Sequence, residues 1–471
     1  MLNSYKYLPM SEFSLIFVSE NKKTSDSDNM ATKIVIKSDK YTPLGGIFYV
    51  INLFKLFVAN HVDTYLGPRC RLYGYQYGEA LTAMAGNFFS GGDRTEDINV
   101  LKGKLPQHPG FRLCSPDTVL RCLSELASPD TVYTSGKGKS YRFNTAECLN
   151  GLLVYVAVMS GLLRPGREYD LDFDHEFLAS ETWDAMPTYK HFDGYGPGCA
   201  TLTDPRTGRD VIAGIENRDG NTPVKFHQVD TLERILLNII EQGMKIRYAR
   251  VDCGSYAKEI VRLLLEHSQR IFVRAEMCRS LREELQNPRR QWRKTVVGDL
   301  ETEVLSLPFD GFDGECPHCR LVVQRQRKEQ GTQLDCFEEG GDDIYVYRAI
   351  LTNEWDMTEE EVIEFYNQRG AKEKVFDQMD NDFGWHYLPK GLLSENTVFM
   401  ILTAIIRNFY KQLLRRQELR AFGIQTTTRM KAFINKVVSV VAGWSRGGRR
   451  DILTIYTSNA EAYKSLYADY G

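Results

Sequence analysis

Tyr366, Arg369 and Glu373 recur at i, i+3 and i+7 within EVIEFYNQRGAKEKVFDQMD, a stretch that predicts one helix over Glu361–Asp380. On such a helix all three share a face. That face would offer a phenolic hydroxyl, a guanidinium fork and a carboxylate. A carboxylate can hold a hard cation, and the fork matches a phosphate. Acids at its start suit the positive end of the helix dipole. The rival reading is a solvated face with an i, i+4 ion pair between Arg369 and Glu373. The rest of the chain has to separate the two.

Carboxylates also cluster in EYDLDFDHEF, Glu168–Phe177, which reads as a strand. Its alternation sends Tyr169, Leu171 and Phe173 one way and Asp170, Asp172 and Asp174 the other. Three like charges on one wet face repel one another, and a bound cation would relieve them, so the strand is a candidate metal platform. A further aspartate, Asp252, ends the strand-like IRYARVD just before Cys-Gly-Ser.

The elements that must position these groups can be read between them. Gly194-Tyr-Gly-Pro-Gly leads to CATLT, the turn Asp204-Pro-Arg-Thr-Gly and DVIAGIEN, a β-hairpin by its turn chemistry. Gln228–Gln242 is an amphipathic helix stopped by Gly243. IRYARVD, a helix from near Ser255 and the strand IFVRAEM follow. The order strand, strand, strand, helix, strand, helix, strand is that of a ribonuclease-H-like domain, an α/β fold that would set Asp174 and Asp252 side by side at strand ends. The closing helix does not come next. Residues 278–345 intervene with β-like pieces and basic clusters, including Arg289, Arg290, Arg293 and Lys294 around Trp292. An aromatic among arginines suits nucleic-acid stacking and backbone contact, or forms a solvated basic sheet edge.

At 471 residues the chain can bury several cores, and its 42% hydrophobic and 26% charged content is that of a globular protein. No apolar run approaches the about 18–20 residues of a membrane span, and no secretory leader pattern opens the sequence, so a cytoplasmic location is expected. The net charge of −3 excludes a uniformly basic binder but not local patches. Residues 407–450 carry eleven Lys/Arg against the single acid Glu418. That imbalance favours phosphate backbone, while apolar stripes in the same stretch suit a pairing surface. The ten cysteines are scattered, as in a reducing compartment. Only Cys316-Pro-His318-Cys319, with Cys336 beyond it, has metal-knuckle spacing. It lacks a second CxxC, so Cys319 and Cys336 otherwise read as free thiols.

The expected organisation is a disordered extension over 1–29, a helical DNA-binding domain over 30–163 and the catalytic core's first part over 164–277. A β-rich insertion (278–345), the core's closing strand and helix (346–390) and a C-terminal helical region (391–471) complete it. Ser115 and Pro116 start a short helix that gives the N-terminal region a helix-turn-helix look.

YNQRGAKEKVFDQMDNDFGWHYLP, ENTVFMILTAIIRNFY, YDLDFDHE, GYGPG, IENRDGN and RVDCGSY together resemble a bacterial insertion-sequence DDE transposase. The branch resembled has a Tyr-Arg-Glu-Lys signature and a β-rich insertion, and the likeness runs from about Met30 to Tyr410. It implies Asp174, Asp252 and Glu373 as catalytic, metal-holding residues, with Asp172 competing for the first place. It also implies Tyr366 and Arg369 as phosphate contacts. The signature lysine falls on Asp380 here, so Lys374 or Lys372 takes its contact or the contact is absent. His175-Glu176 replaces the usual small-hydroxyl neighbour of the first aspartate. Further implications are two Mg2+ ions, for which Mn2+ can substitute, and double-stranded DNA at element ends and target. Trp292 and Arg293 would grip DNA, and a homodimer would form the synaptic complex. The expected activity is cut-and-paste transposition at terminal inverted repeats. The alternatives are an inactivated, DNA-binding derivative and a ribonuclease-H-superfamily nuclease.

Overall fold

The computed structural model describes residues 41–105, 111–314, 316, 318–327 and 344–468, and only the backbone path of residues 371–373. The expectations for residues 1–29 and for Cys336 lie outside them. After β1 (Tyr41–Thr42) come helices α1 (Ile47–Phe54), α2 (Asn60–Leu66), α3 (Tyr77–Phe88), α4 (Ile98–Lys104) and α5 (Pro116–Leu126). The Ser115 side chain caps α5 as its sequence predicts. A hairpin, β2 (Thr131–Thr134) and β3 (Ser140–Asn144), precedes α6 (Glu147–Met159) and β4 (Glu168–His175). Short strands β5 (Leu178–Ala179), β6 (Met186–Pro187) and β7 (Asp193–Tyr195) lead to β8 (Gly198–Asp204) and β9 (Arg209–Arg218). Then follow α7 (Gln228–Glu241), β10 (Lys245–Val251), α8 (Lys258–His267), β11 (Ser268–Arg274), α9 (Arg279–Leu285), β12 (Arg293–Val297), β13 (Leu300–Pro308), β14 (Arg320–Arg327) and β15 (Tyr345–Thr352). The chain continues through α10 (Glu359–Asn367), α11 (Glu373–Asp382), α12 (Leu393–Leu413) and α13 (Met430–Phe433), then β16 (Val441–Gly447), β17 (Arg450–Tyr456) and α14 (Ala460–Leu466).

Eleven strands form one sheet in the order β12-β13-β14-β15-β11-β10-β4-β8-β9-β3-β2. Its centre, β9-β8-β4-β10-β11, is the ribonuclease-H-like order expected from the sequence. β8 and β9 meander antiparallel from β4, while β10 and β11 run parallel to it after helical crossovers. The crossover helix α7 buries Leu232, Ile235, Leu236 and Ile239 against this sheet. Each such side chain stabilises the fold by about 1.5–3 kcal/mol. Gly214 lets α7 come close, because a β-carbon there would meet Ile235 at 2.8 Å.

The β-rich insertion is not a separate layer. Its strands add antiparallel to β11 through β15 and extend the central sheet. Their far face carries α10, whose Val362, Ile363 and Tyr366 pack on Val304, Val322 and Ile350. The insertion thereby becomes the floor under the helix that leads into the segment bearing Arg369.

A second core gathers α1–α6 around α12, which is buried on all sides, and reaches Ile212 and Ile215 of β9. β9 pairs with β3 only through Asn217 and Arg218. Further along the strand, side-chain amides take the place of a partner. Asn408 of α12 accepts from the Ile212 N–H (2.9 Å) and donates to its carbonyl (2.8 Å), and Asn150 of α6 does the same for Ile215 (2.8 Å each). In the stretch read as C-terminal helices, β16 and β17 instead form a hairpin, and β16 pairs with β1. Among the described residues no helix is long and apolar enough to cross a membrane.

Candidate active site

Parallel pairing of β4 with β10 matches Phe173 to Val251. The next residues, Asp174 and Asp252, therefore leave neighbouring strands side by side at their carboxyl ends. Asp252 turns into a single 3-10 turn, Cys253–Ser255, where the Ser255 hydroxyl donates to its Oδ1 (3.3 Å) and the Gln228 amide donates to Ser255 (2.8 Å). Asp174 accepts from the His175 N–H (2.9 Å), and Arg369 Nη2 lies 2.8 Å from its Oδ2. Burial pushes the Asp174 carboxyl up to about 6; Arg369 pulls it down and the Asp252 charge raises it. Burial, reinforced by Arg218 and Arg369, holds the His175 imidazole well below its ordinary value, so the ring is neutral at pH 7.

The other two aspartates of β4 are each taken up by an arginine. Asp170 makes a two-point pair with Arg247 (2.8 and 2.7 Å), and Asp172 makes one with Arg250 (2.7 and 3.0 Å). Arg247 and Arg250 would face opposite ways on a regular strand. A register shift between Ile246 and Tyr248 brings both to the aspartate face. Guanidinium groups from β10, not a cation from solution, thus relieve the repulsion expected along β4. Asp172 is held by Arg250, whereas Asp174 lies at the strand end beside Asp252.

The helix predicted over Glu361–Asp380 is two helices. Thr358 and Glu361 form a capping box that starts α10, and a 3-10 segment, Gln368–Lys372, separates it from α11. The break changes which residues share a face. The Tyr366 hydroxyl is buried and donates to the Val251 carbonyl (3.2 Å), the residue before Asp252. Burial pushes its pKa up to about 12. Arg369 turns to Asp174. Glu373 opens α11, and its side chain lies outside the described residues. Lys374 is exposed beside it. Asp380 lies 3.8 Å from His386.

Trp292 is half-buried, with the Arg325 guanidinium 4.1 Å from its ring centre, and Arg293 is paired with Glu359 (2.6 Å) and Glu360 (2.5 Å) at the start of α10. Cys316 and Cys319 are buried in the core, and burial pushes the Cys319 thiol up to about 12. Among the described residues no three His, Cys, Asp or Glu side chains form a metal-holding group. The Glu373 side chain and Cys336 are not among them.

Sequence reasoning passed over Arg274. The β10–β11 register pairs Val251 with Val273, so Arg274 ends its strand next to Asp252. The strand order already inferred, with the Arg in IFVRAEM, carried that signal. It also passed over Arg218, buried and bonded to the carbonyls of Gly196 and Val224 (3.2 Å each), whose pKa burial lowers to about 9 against the opposing charge of Glu216.

No curated protein matches the chain. Among solved structures it is similar to a piggyBac transposase synaptic complex with hairpin DNA, at 14% identity over 82% of this chain and 79% of that one, TM-score 0.40. It is also similar to a Drosophila P element transposase strand transfer complex, at 17% identity over 46% and 41% of the two chains, TM-score 0.22. Residues 180–409, a span that holds Asp252 and Glu373 and begins just beyond Asp174, match the family model described as transposase DDE domain, which supports a DDE-transposase family domain in this chain.

Proposed function

We propose that the protein is a DNA transposase that cleaves and joins DNA at the terminal inverted repeats of an insertion sequence by cut-and-paste. The observation that carries this reading is the pairing of Asp174 and Asp252 at adjacent parallel strand ends, with Glu373 starting the helix that follows the insertion. The residues fit divalent metal. Two carboxylates crowd one site, burial and mutual repulsion keep one of them protonated up to about 6, and their oxygens are the donors Mg2+ prefers. Asp174, Asp252 and Glu373 would hold two such ions. When bound, Mg2+ (or Mn2+ in its place) supplies activation of the attacking water or 3′-hydroxyl and charge compensation at the departing oxygen.

The remaining groups position the substrate. Arg369, released from Asp174, offers its fork to a phosphate at the reacting end. Tyr366 fixes the strand end from which Asp252 projects, through the Val251 carbonyl. Ser255 and Gln228 fix the Asp252 carboxylate itself. Trp292, Arg293 and Lys374 contact DNA outside the reacting phosphate, and Arg293 does so by leaving Glu359 and Glu360. Double-stranded DNA is the substrate at both ends and target, and two copies of the chain hold two ends together.

The test is cleavage of a labelled duplex carrying the element's own end, with Mg2+ and with EDTA, by wild type and Glu373→Ala. Metal-dependent nicking at the end, lost in the variant with binding retained, is the expected result. Binding without nicking in any metal would replace this reading with an inactivated, DNA-binding derivative.

A further inference from the structure

An open cleft of about 440 Å³ lies between the aspartate-bearing face of the sheet, α11 and the end of α12. Five cationic side chains line it, Arg250, Lys374, Arg407, Lys411 and Arg429, against one lining carboxylate, Asp210. Behind the wall, Arg250 is matched by Asp172, and Arg429 by Asp377 (2.5 Å) and Asp382 (3.2 Å). Arg407, 1% exposed, and Lys411 (3.2 Å) share Asp210, so two cations meet one carboxylate. Lys374 has no ion pair among the described residues. The threonine run 426–428 adds hydroxyls on the facing lip.

Among the described residues, the lining cations thus outnumber the lining carboxylate, with Lys374 exposed and Arg407 and Lys411 meeting at Asp210. Lys374 follows Glu373 on α11, so the cleft begins one residue from the candidate active site. It is open along one side, which suits a continuous chain of anions better than an enclosed small acid. Resting on the transposase reading, we infer that this cleft receives phosphodiester groups of the DNA strand leaving the active site, with Lys374 and Lys411 as its two contacts.

The test is the Lys374→Ala/Lys411→Ala double variant. Lys374 is exposed, and loss of Lys411 leaves Asp210 paired with Arg407, so neither change orphans a buried charge; matching melting curves check the fold. Binding of a labelled mixed-sequence duplex is measured in EDTA across a salt series, since backbone contact does not depend on sequence. The slope of log affinity against log salt should be shallower by about 1.8 in the double variant, about 0.9 per lost phosphate contact. Lys411→Arg should keep the wild-type slope. An unchanged slope in a double variant whose wild-type parent binds and cleaves overturns the cleft assignment alone. Loss of inorganic phosphate binding with duplex binding intact would make it a small-anion site and overturn it too. A wild type that neither binds duplex nor cleaves overturns both readings together.

Discussion

Arg369 holds the carboxylate that the transposase reading assigns to metal. Its side chain is 14% exposed and its Nη2 lies 2.8 Å from Asp174 Oδ2, and two of its nitrogens, Nε and Nη2, make no well-directed hydrogen bond. A cation held by charge more than by directed bonds can be exchanged for another. Arg369→Gln should therefore bind Mn2+ more tightly than wild type without DNA at pH 8, on the order of tenfold, or about 1.4 kcal/mol. Mn2+ titration followed by electron paramagnetic resonance reads this directly, and equal or weaker binding would sink the competition. The sequence showed the types Asp174 and Arg369 but not their pairing. QRGAKEK is compatible with an unbroken helix, whereas the chain forms a 3-10 segment there and Arg369 turns to Asp174. The pairing of Asp170 and Asp172 was hidden for a related reason. It depends on a register shift in β10, and no single strand's alternation reports its neighbour's register.

At the scale of elements, strand order was legible because turn chemistry and apolar periodicity were both strong. Asp204-Pro-Arg-Thr-Gly and the α7 stripe fixed five strands and two helices. The β16–β17 hairpin was missed because VVSVVAGW reads equally as an apolar helix face, and Gly447-Gly448 was not weighed as a turn. Nor could a sequence show how the outer edge of β9 is satisfied, since Asn150 and Asn408 lie 65 and 196 residues from the backbone they bond. An orphaned buried backbone group costs about 1–3 kcal/mol, and each amide serves two. Asn408→Ala should destabilise the fold by about 2–4 kcal/mol in urea unfolding. A loss under about 0.5 kcal/mol, the range of an ordinary surface change, would contradict this role.

For the whole molecule, the site's electrostatics act on stability. Burial raises the folded Asp174 pKa from 3.8 to about 6. The folded protein then keeps a proton that the unfolded chain has released, so this group's contribution to stability falls as pH rises from about 4 to about 6 and is level above that. In EDTA, Asp174→Asn removes the titration. Its melting temperature should gain on wild type as pH rises from about 4 to about 6, and a constant difference across that range would refute the assignment. That the N-terminal helices and the sheet share one core through α12 was not legible in the sequence. Their apolar faces read as those of an independent helical domain, because a stripe identifies a buried face but not what covers it.

That shared core orders the events of synthesis. α1 and α3 leave the ribosome early, but α12, the surface that buries them, and β16, the strand that β1 pairs with, are translated more than 300 residues later. At roughly 5–20 residues per second this is a wait of about 15–80 s. Through that interval the faces of these helices that α12 covers have no lasting partner. Folding of this half is then a late event, and a chaperone that shields those helices during elongation would decide how much of the protein reaches its final form.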